Sequence, residues 1–434
     1  MAKRSWISIL IFTAVIINYI DRIALSIASK PIAEEFGFTP VQMGYLFSGF
    51  LWTYVLCLIP IGLLVERIGA KRMVGGGIAI WSGATILTAA TSGFTSLLGA
   101  RLVMGASEAS TFPACGRIIR SWFPERERGL VTTLFNGGSS AGPALGALVT
   151  AALVEATGWR TTFVVLGVIG YVWLAAWWFW YAEPERATWL SEGERRTILA
   201  GRDGDNSGEP TPPSSLRYLL SQTSVWGLVI TQACLVYTAY LFLTWLPTFL
   251  QSTRELSTLN TGYLTAIPYL VTIVLSVLIA WASDRSLSSA RIRSGARRYF
   301  IAAMAILSLL ILLAPFVNNL SELLIVLTLV LTGSTTGAGL NFTLVSDLLR
   351  NPADVSRVIA ITALGGNLFG LIAPVITGYI VAGTGSYDWA FVVAAGLLLA
   401  GAIATLTMTR RPINPELGTG PDDVSLYQTQ QARP

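Results

Sequence analysis

Apolar residues in this chain gather in long uninterrupted runs, not in short alternations. Twelve runs approach or exceed the roughly 20 residues that a membrane-crossing helix needs. They lie at about 6–28, 42–65, 73–92, 95–121, 130–156, 161–182, 224–251, 260–284, 298–318, 321–348, 355–382 and 387–409. Runs of this length predict helices; a barrel strand would alternate over roughly ten residues. The first run is too long for a secretory leader and lacks a small-residue cleavage site, so it is expected to stay as the first span. Residues 183–222 interrupt the pattern with Glu, Arg, Gly, Pro and Ser, and a short amphipathic helix is predicted near 191–201. The expected architecture is an all-α membrane protein with two six-helix bundles. Residues 1–182 form the first, 183–222 a cytoplasmic linker, 223–409 the second and 410–434 a cytoplasmic tail.

Composition narrows the function. Of 434 residues 53% are hydrophobic and 12% charged, half the charged share of a soluble domain, about 25%. That excludes an ordinary cytosolic enzyme and a nucleic-acid-binding chain, despite a net charge of +5. The position of the charges matters more than their sum. Of 29 Lys and Arg, 24 fall in the N-terminal tail, the even-to-odd loops and the C-terminal tail; only Lys30, Arg160 and Arg254 fall on the other side. By the positive-inside bias both termini are expected in the cytoplasm. Histidine is absent, so proton chemistry must use carboxylates. Cys57, Cys115 and Cys234 all sit in apolar stretches, which argues against a disulfide framework or a metal site.

The two halves repeat faintly. Gly62-Leu-Leu-Val-Glu66-Arg67-Ile-Gly69-Ala-Lys71-Arg72 follows the second span, and Ser283-Asp284-Arg285 follows the eighth. Gly137-Gly138-Ser139 in span 5 is echoed by Gly365-Gly366-Asn367 in span 11. Parallel repeats of six spans imply two bundles about an axis along the membrane normal, with a cavity between them. The loop after span 2 resembles the signature of the major facilitator superfamily, with Glu66 in place of the commoner Asp. Glu66, Arg67, Asp284 and Arg285 are the expected gating residues, latching one bundle to the other at the cytoplasmic helix ends.

Four charges lie inside predicted spans: Asp21, Arg22, Arg101 and Glu108. On insertion scales each costs at least about 2.5–3.5 kcal/mol at the bilayer centre, so they should face a wet cavity or one another. Asp21 and Arg22 are adjacent and cannot face each other on one helix, whereas Asn18 and Arg22 share a face. Arg101 and Glu108 lie on one face about 10 Å apart. Glu108, lodged among Ala, Ser and Gly, is the expected proton carrier. Two arginines and two carboxylates sum to zero; protonating Glu108 leaves one positive charge for a carboxylate to neutralise. Proton and anion should load together. Tyr19 and Tyr54 are mid-span candidates for binding, and Asn341 and Thr343 are candidates for the wall of the second bundle. The Trp177-Trp178-Phe179-Trp180 cluster is expected at the membrane edge.

Asn18-Tyr19-Ile20-Asp21-Arg22 together with Trp52-Thr53-Tyr54 resembles the anion:cation symporter family, whose bacterial members import sugar acids and other small carboxylates with protons. That resemblance implies that Tyr19, Arg22, Tyr54, Arg101 and Glu108 line the substrate and proton sites, and that Asn367, within Asn367-Leu-Phe-Gly370-(x)₃-Pro374-(x)₃-Gly378, contacts substrate. Ser139 stands where sugar-acid members can carry a longer amide. The expected protein is thus a monomeric importer in a cell membrane, most simply the bacterial inner membrane, without a cofactor other than the coupling proton. Two other readings remain. Gly138-Ser-Ser-Ala-Gly142-Pro143-Ala-Leu-Gly146 resembles the Gly-rich motif of proton-coupled antiporters that export drugs, though Ala147 breaks its last glycine. A non-transporting sensor on the same scaffold would be expected to carry a larger cytoplasmic segment.

Overall fold

The computed structural model describes residues 4–203, 213–254, 256–288, 291–292 and 295–413. Residues 204–212 of the predicted linker, Arg293 and the tail beyond Ile413 lie outside the described residues. Among the described residues these α-helices follow one another: α1 (Ser5–Ile27), α2 (Ser29–Phe36), α3 (Pro40–Ile68), α4 (Ala70–Ala89), α5 (Phe94–Glu108), α6 (Thr111–Trp122), α7 (Glu125–Trp180), α8 (Glu192–Asp203), α9 (Leu216–Ser221), α10 (Thr223–Arg254), α11 (Thr258–Ser286), α12 (Arg297–Leu307), α13 (Leu320–Leu348), α14 (Pro352–Thr384) and α15 (Asp388–Met408). A 3₁₀ stretch, Ser308–Phe316, prolongs α12. Among the described residues nine helices are long and apolar enough to cross a membrane. Counting α7 as two, and adding α4 and the pair α5–α6, gives twelve crossing segments.

The helix ends depart from expectation where side chains intervene. Spans 5 and 6 run together as α7 and separate only at Gly158, whose φ of 80° and ψ of 163° only glycine adopts without strain. The sequence predicts one helix over 95–121; the structure breaks it at Ala109 and Ser110. There Ser107 Oγ donates to the Val103 and Met104 carbonyls, and Ser110 Oγ to the Ser107 carbonyl at 2.8 Å. Such local side-chain bonds compete with the helical ladder. The predicted linker helix is α8. Next to it Trp189 stacks on Trp122 with centroids 5.4 Å apart.

One belt assignment needs correction. Trp178, Phe179 and Trp180 are exposed, but Trp177 is fully buried. It stacks between Trp173 and Tyr181 and donates Nε1–H to the Lys71 carbonyl at 3.1 Å. A partner for that N–H is what makes a buried indole tolerable.

The first and second sets of six segments meet at the end opposite the chain termini. There Gly44 lies so close to α14 that a Cβ would meet the Pro374 carbonyl at 2.6 Å, and Gly378 meets the Pro40 carbonyl in the same way. Gly262 packs against Ala147 and Ala151. Small residues at crossing points let helix backbones approach in a membrane. Tyr45 and Tyr379 hydroxyls bond at 3.2 Å, and Ser29 and Thr248 hydroxyls at 2.8 Å. The short helix α2, which the hydrophobic pattern does not reveal, covers this end. Its Glu35 accepts from Arg160 at 2.6 Å and from Trp159 at 2.7 Å. Those bonds, the Arg160 one first, hold the Glu35 carboxyl below the usual carboxylate range. We call this sealed end distal and the other end terminal.

Candidate functional site

The site is built where α1, α3 and α5 are drawn together. Gly142 and Gly146 of α7 press against Tyr19, Ile20 and Ile23 of α1; Gly105 of α5 lies against the Phe50 carbonyl of α3, where a Cβ would find no room. Thr53 Oγ1 donates across α3–α5 to the Leu102 carbonyl at 2.6 Å. This packing places all four intramembrane charges in one buried group: Asp21 is 2% exposed, Arg22 4%, Arg101 3% and Glu108 0%.

Arg22 and Glu108 form a direct ion pair. Arg22 Nε donates to Glu108 Oε2 at 2.7 Å, with both side chains out of solvent. Its guanidinium also lies over three rings, Tyr19 at 4.8 Å, Tyr54 at 4.9 Å and Phe50 at 5.1 Å. Arg101 stands over the same Phe50 ring at 4.9 Å and donates to Met104 Sδ at 3.2 Å. Cation–π contact in a desolvated site is worth about 2 kcal/mol or more, so Phe50 helps hold two like charges in one place. Among the described residues Arg22 Nη2, Glu108 Oε1, Arg101 Nε, both oxygens of Asp21 and both polar atoms of Asn18 are buried without a hydrogen bond of good geometry, although Asn18 approaches Glu108 and Trp81 approaches Asp21. This concentration of unmet polar valence is uncommon in a protein interior and marks the place as built for something besides stability.

The other expected residues are distributed unevenly. Tyr54 is buried, whereas Tyr19, Ser139 and Asn367 are half-buried. Ser139 Oγ donates to the Asn136 carbonyl at 2.6 Å, and Asn367 Nδ2 to the Ala363 carbonyl at 3.0 Å. Thr343 is exposed on α13. Asn341 does not stand on a free wall. It is fully buried and donates Nδ2–H to the Leu228 carbonyl and to Gln232 Oε1, both at 2.9 Å, tying α13 to α10. The expected latch also differs. Glu66 pairs with Arg117 at 3.2 Å and Arg120 at 3.8 Å, and Asp284 with Arg297 at 2.6 Å. Among the described residues these carboxylates therefore join helices of their own set and not one set to the other. Arg67 is exposed, and Arg285 lies over Trp281 at 5.6 Å.

Sequence reasoning missed two neighbours. Phe50 is an ordinary apolar residue by pattern, and only the folded contact shows it between two arginines. Tyr240 comes from α10 of the second set. It packs on Phe50 with centroids 6.4 Å apart, and Gly370 of α14 clears space for its ring. The Gly370 in the span-11 pattern was the one sequence signal for it.

The sequence pattern of the Major Facilitator Superfamily matches residues 11–293 and 286–427. The chain belongs to the major facilitator superfamily. As a member it is an integral multi-pass membrane transporter, not an enzyme. Its relatives include the D-galactonate transporter of Escherichia coli O6:H1, 30% identical over 92% of this chain and 94% of that protein. A probable galactarate/D-glucarate transporter of Bacillus subtilis (strain 168) is 30% identical over 95% of each chain. In three dimensions the chain resembles a bacterial homologue of the human lysosomal transporter Spinster, with a TM-score of 0.73 and 17% identity over 94% of this chain and 97% of that one. That likeness establishes the fold alone.

Proposed function

We propose that this transporter imports a small organic anion, a carboxylate of the sugar-acid class, together with protons by alternating access. The observation that carries the reading is the buried Arg22–Glu108 pair at 2.7 Å with Arg101 beside it across Phe50. Glu108 and a substrate carboxylate would compete for one guanidinium. With Glu108 ionised, Arg22 Nε is taken. A proton arriving on Glu108 removes its claim, and the substrate carboxylate replaces it on Arg22, with Arg101 as the second positive charge. Loading only one of the two leaves an uncompensated buried charge, and the cost of that state couples the two ligands.

Other residues would shape the site around the bound anion. Tyr19 and Tyr54 supply hydroxyls from the first set, and Tyr240 supplies one from the second. Ser139 and Asn367 meet the remainder of the substrate, while Asp21, buried beside Glu108 and the two arginines, acts as a second proton acceptor on the path to Glu108. Thr343, exposed on α13, would line the wall of the second set, and Asn341 acts through α10. The charge asymmetry of the loops supports terminal ends in the cytoplasm. Glu66, Arg67, Asp284 and Arg285 would rearrange as the terminal ends open and close while the distal end opens in turn. The protein works as a monomer in the lipid bilayer, with the proton as coupling ion.

The exporter reading rests on the span-5 glycines, and close helix packing accounts for these. Gly138 lies against Val15, Gly142 against Tyr19 and Gly146 against Ile23. Similarity to transporters named for galactonate, galactarate and glucarate supports a sugar acid as the solute. Counterflow in proteoliposomes with those three acids and smaller monocarboxylates tests it. Saturable exchange of at least one acid, lost in Arg22→Ala, is expected; exchange of none, or full exchange by Arg22→Ala, overturns the assignment.

A further inference from the structure

Two hydrogen bonds that cross between the helix sets share a feature no motif announces. Ser26 Oγ of α1 donates to the Thr244 carbonyl of α10. Ser48 Oγ of α3 donates to the Leu371 carbonyl of α14 at 2.5 Å. Each acceptor stands three residues before a proline inside its helix, Pro247 and Pro374. A proline leaves the carbonyl four residues back, here Leu243 or Gly370, without its helical N–H, and its ring pushes that turn open, so that the next carbonyl, Thr244 or Leu371, can accept from outside the helix. In a membrane, backbone groups loosened in this way are satisfied by Ser and Thr of neighbouring helices.

The two serine bonds belong to one network. Trp52 Nε1 donates to Ser48 Oγ at 2.8 Å, so the serine hydroxyl both accepts and donates. Phe47, beside Ser48, meets Trp245 edge-on at 5.1 Å. Trp245, beside Thr244, donates to the carbonyl of Pro374 itself at 3.1 Å. A continuous path thus runs from Ser26 through the Pro247 turn and Trp245 to the Pro374 turn and back through Ser48 to Trp52. Ser26 and Ser48 are both buried. Trp52 is two residues from Tyr54, and Thr244 accepts four residues beyond Tyr240, so each arm of the network begins about one helical turn or less from a ring of the candidate site.

We propose that Ser26 and Ser48 are the clasp that holds the distal seal. Two hydroxyls of the first helix set close on carbonyls in the turns that prolines of the second set open, and opening the distal end breaks both bonds together. The proposal rests on the reading that the two sets rock against each other, but it is independent of which solute is carried. An interhelical hydrogen bond in a membrane protein averages an effect of about threefold on an equilibrium. Removing one hydroxyl is therefore expected to raise the distal-open population about threefold, and removing both about eightfold.

The test is pulsed electron–electron distance measurement on the full chain in nanodiscs. Cys57, Cys115 and Cys234 are replaced, and labels are placed at Glu34→Cys and Ala382→Cys, both exposed at the distal end. Ser26→Ala, Ser48→Ala and the double variant are compared with Ser121→Ala, whose hydroxyl bonds only within its own helix. The expected result is a long-distance population that grows in the order control, single, double. A double variant with the control's distance distribution overturns the clasp. Pro374→Ala, which returns a helical donor to the Gly370 carbonyl and closes the turn that holds the Leu371 carbonyl, provides an independent arm: it should move the population the same way, and an unchanged distribution there also counts against the proposal. Failure of carboxylate counterflow in the parent protein would refute the transport assignment and leave these distances unaffected.

Discussion

Glu108→Gln separates the proton from the binding site without removing a hydrogen-bonding side chain. In the parent protein at alkaline pH, an incoming carboxylate must displace an ionised Glu108 from Arg22. If the two carboxylates sat on either side of the guanidinium, about 5 Å apart, their repulsion would be about 3 kcal/mol at an effective dielectric constant of roughly 20. Glutamine carries no charge and removes that repulsion, so affinity at alkaline pH should rise on the order of a hundredfold. The same change leaves Arg22 buried without its counter-charge, and breaking one side of a buried pair costs about 3–5 kcal/mol. The ligand-free variant should therefore melt lower than the parent, and a bound carboxylate should restore it by more than it stabilises the parent. Titration calorimetry and thermal unfolding across pH 5–9, with the acid that passes counterflow, measure both effects. Unchanged alkaline affinity, or a variant whose affinity keeps the parent's pH dependence, refutes the competition between Glu108 and substrate.

Two further outcomes test the scaffold. A Cβ at Gly146 would meet Ile23 Cγ2 at 2.6 Å and Ile20 Cα at 2.9 Å, whereas one at Gly99 meets nothing within 4 Å. Gly146→Ala should lower the melting temperature, at an overpacking cost of about 1–3 kcal/mol, and Gly99→Ala should not; equal melting of the two variants contradicts the close α1–α7 contact. Glu35, bonded by Arg160 and Trp159, has its carboxyl lowered on folding. Its hold on α2 is complete above the ordinary carboxylate value of about 4.3 and is lost as pH falls through the lowered one. Hydrogen exchange in residues 29–36 should therefore stay slow down to about pH 4 and quicken below it, and Glu35→Gln should exchange fast throughout.

Most of the fold was legible because the membrane imposes a length rule on apolar runs, and twelve runs of the right length leave few arrangements. The departures have local causes that hydropathy does not record. Serine hydroxyls at 107 and 110 compete for backbone carbonyls and break a helix inside an apolar run. Trp177 is buried while its neighbours face outward, because helical periodicity turns one indole of the cluster toward Trp173 and Tyr181. At the site, the cost of intramembrane charge singled out Asp21, Arg22, Arg101 and Glu108. The partner of each was not legible. Arg22 and Glu108 are 86 residues apart, and the approach that joins them depends on Gly105, Gly142 and Gly146, which as letters read only as small. Glu66 and Asp284 stood in a pattern that speaks for gating, but the helix each carboxylate meets is set by packing that the pattern does not record, and here each stays within its own set.

The central claim is that a proton on Glu108 and a carboxylate on Arg22 load together. Proteoliposomes containing a pH-sensitive dye, given an inward gradient of the transported acid and no membrane potential, measure it directly. Acidification of the lumen should follow acid uptake in the parent protein. In Glu108→Gln, exchange of the acid should continue with no acidification. Uptake of the acid by the parent protein without proton movement, or acidification that survives in Glu108→Gln, would contradict it.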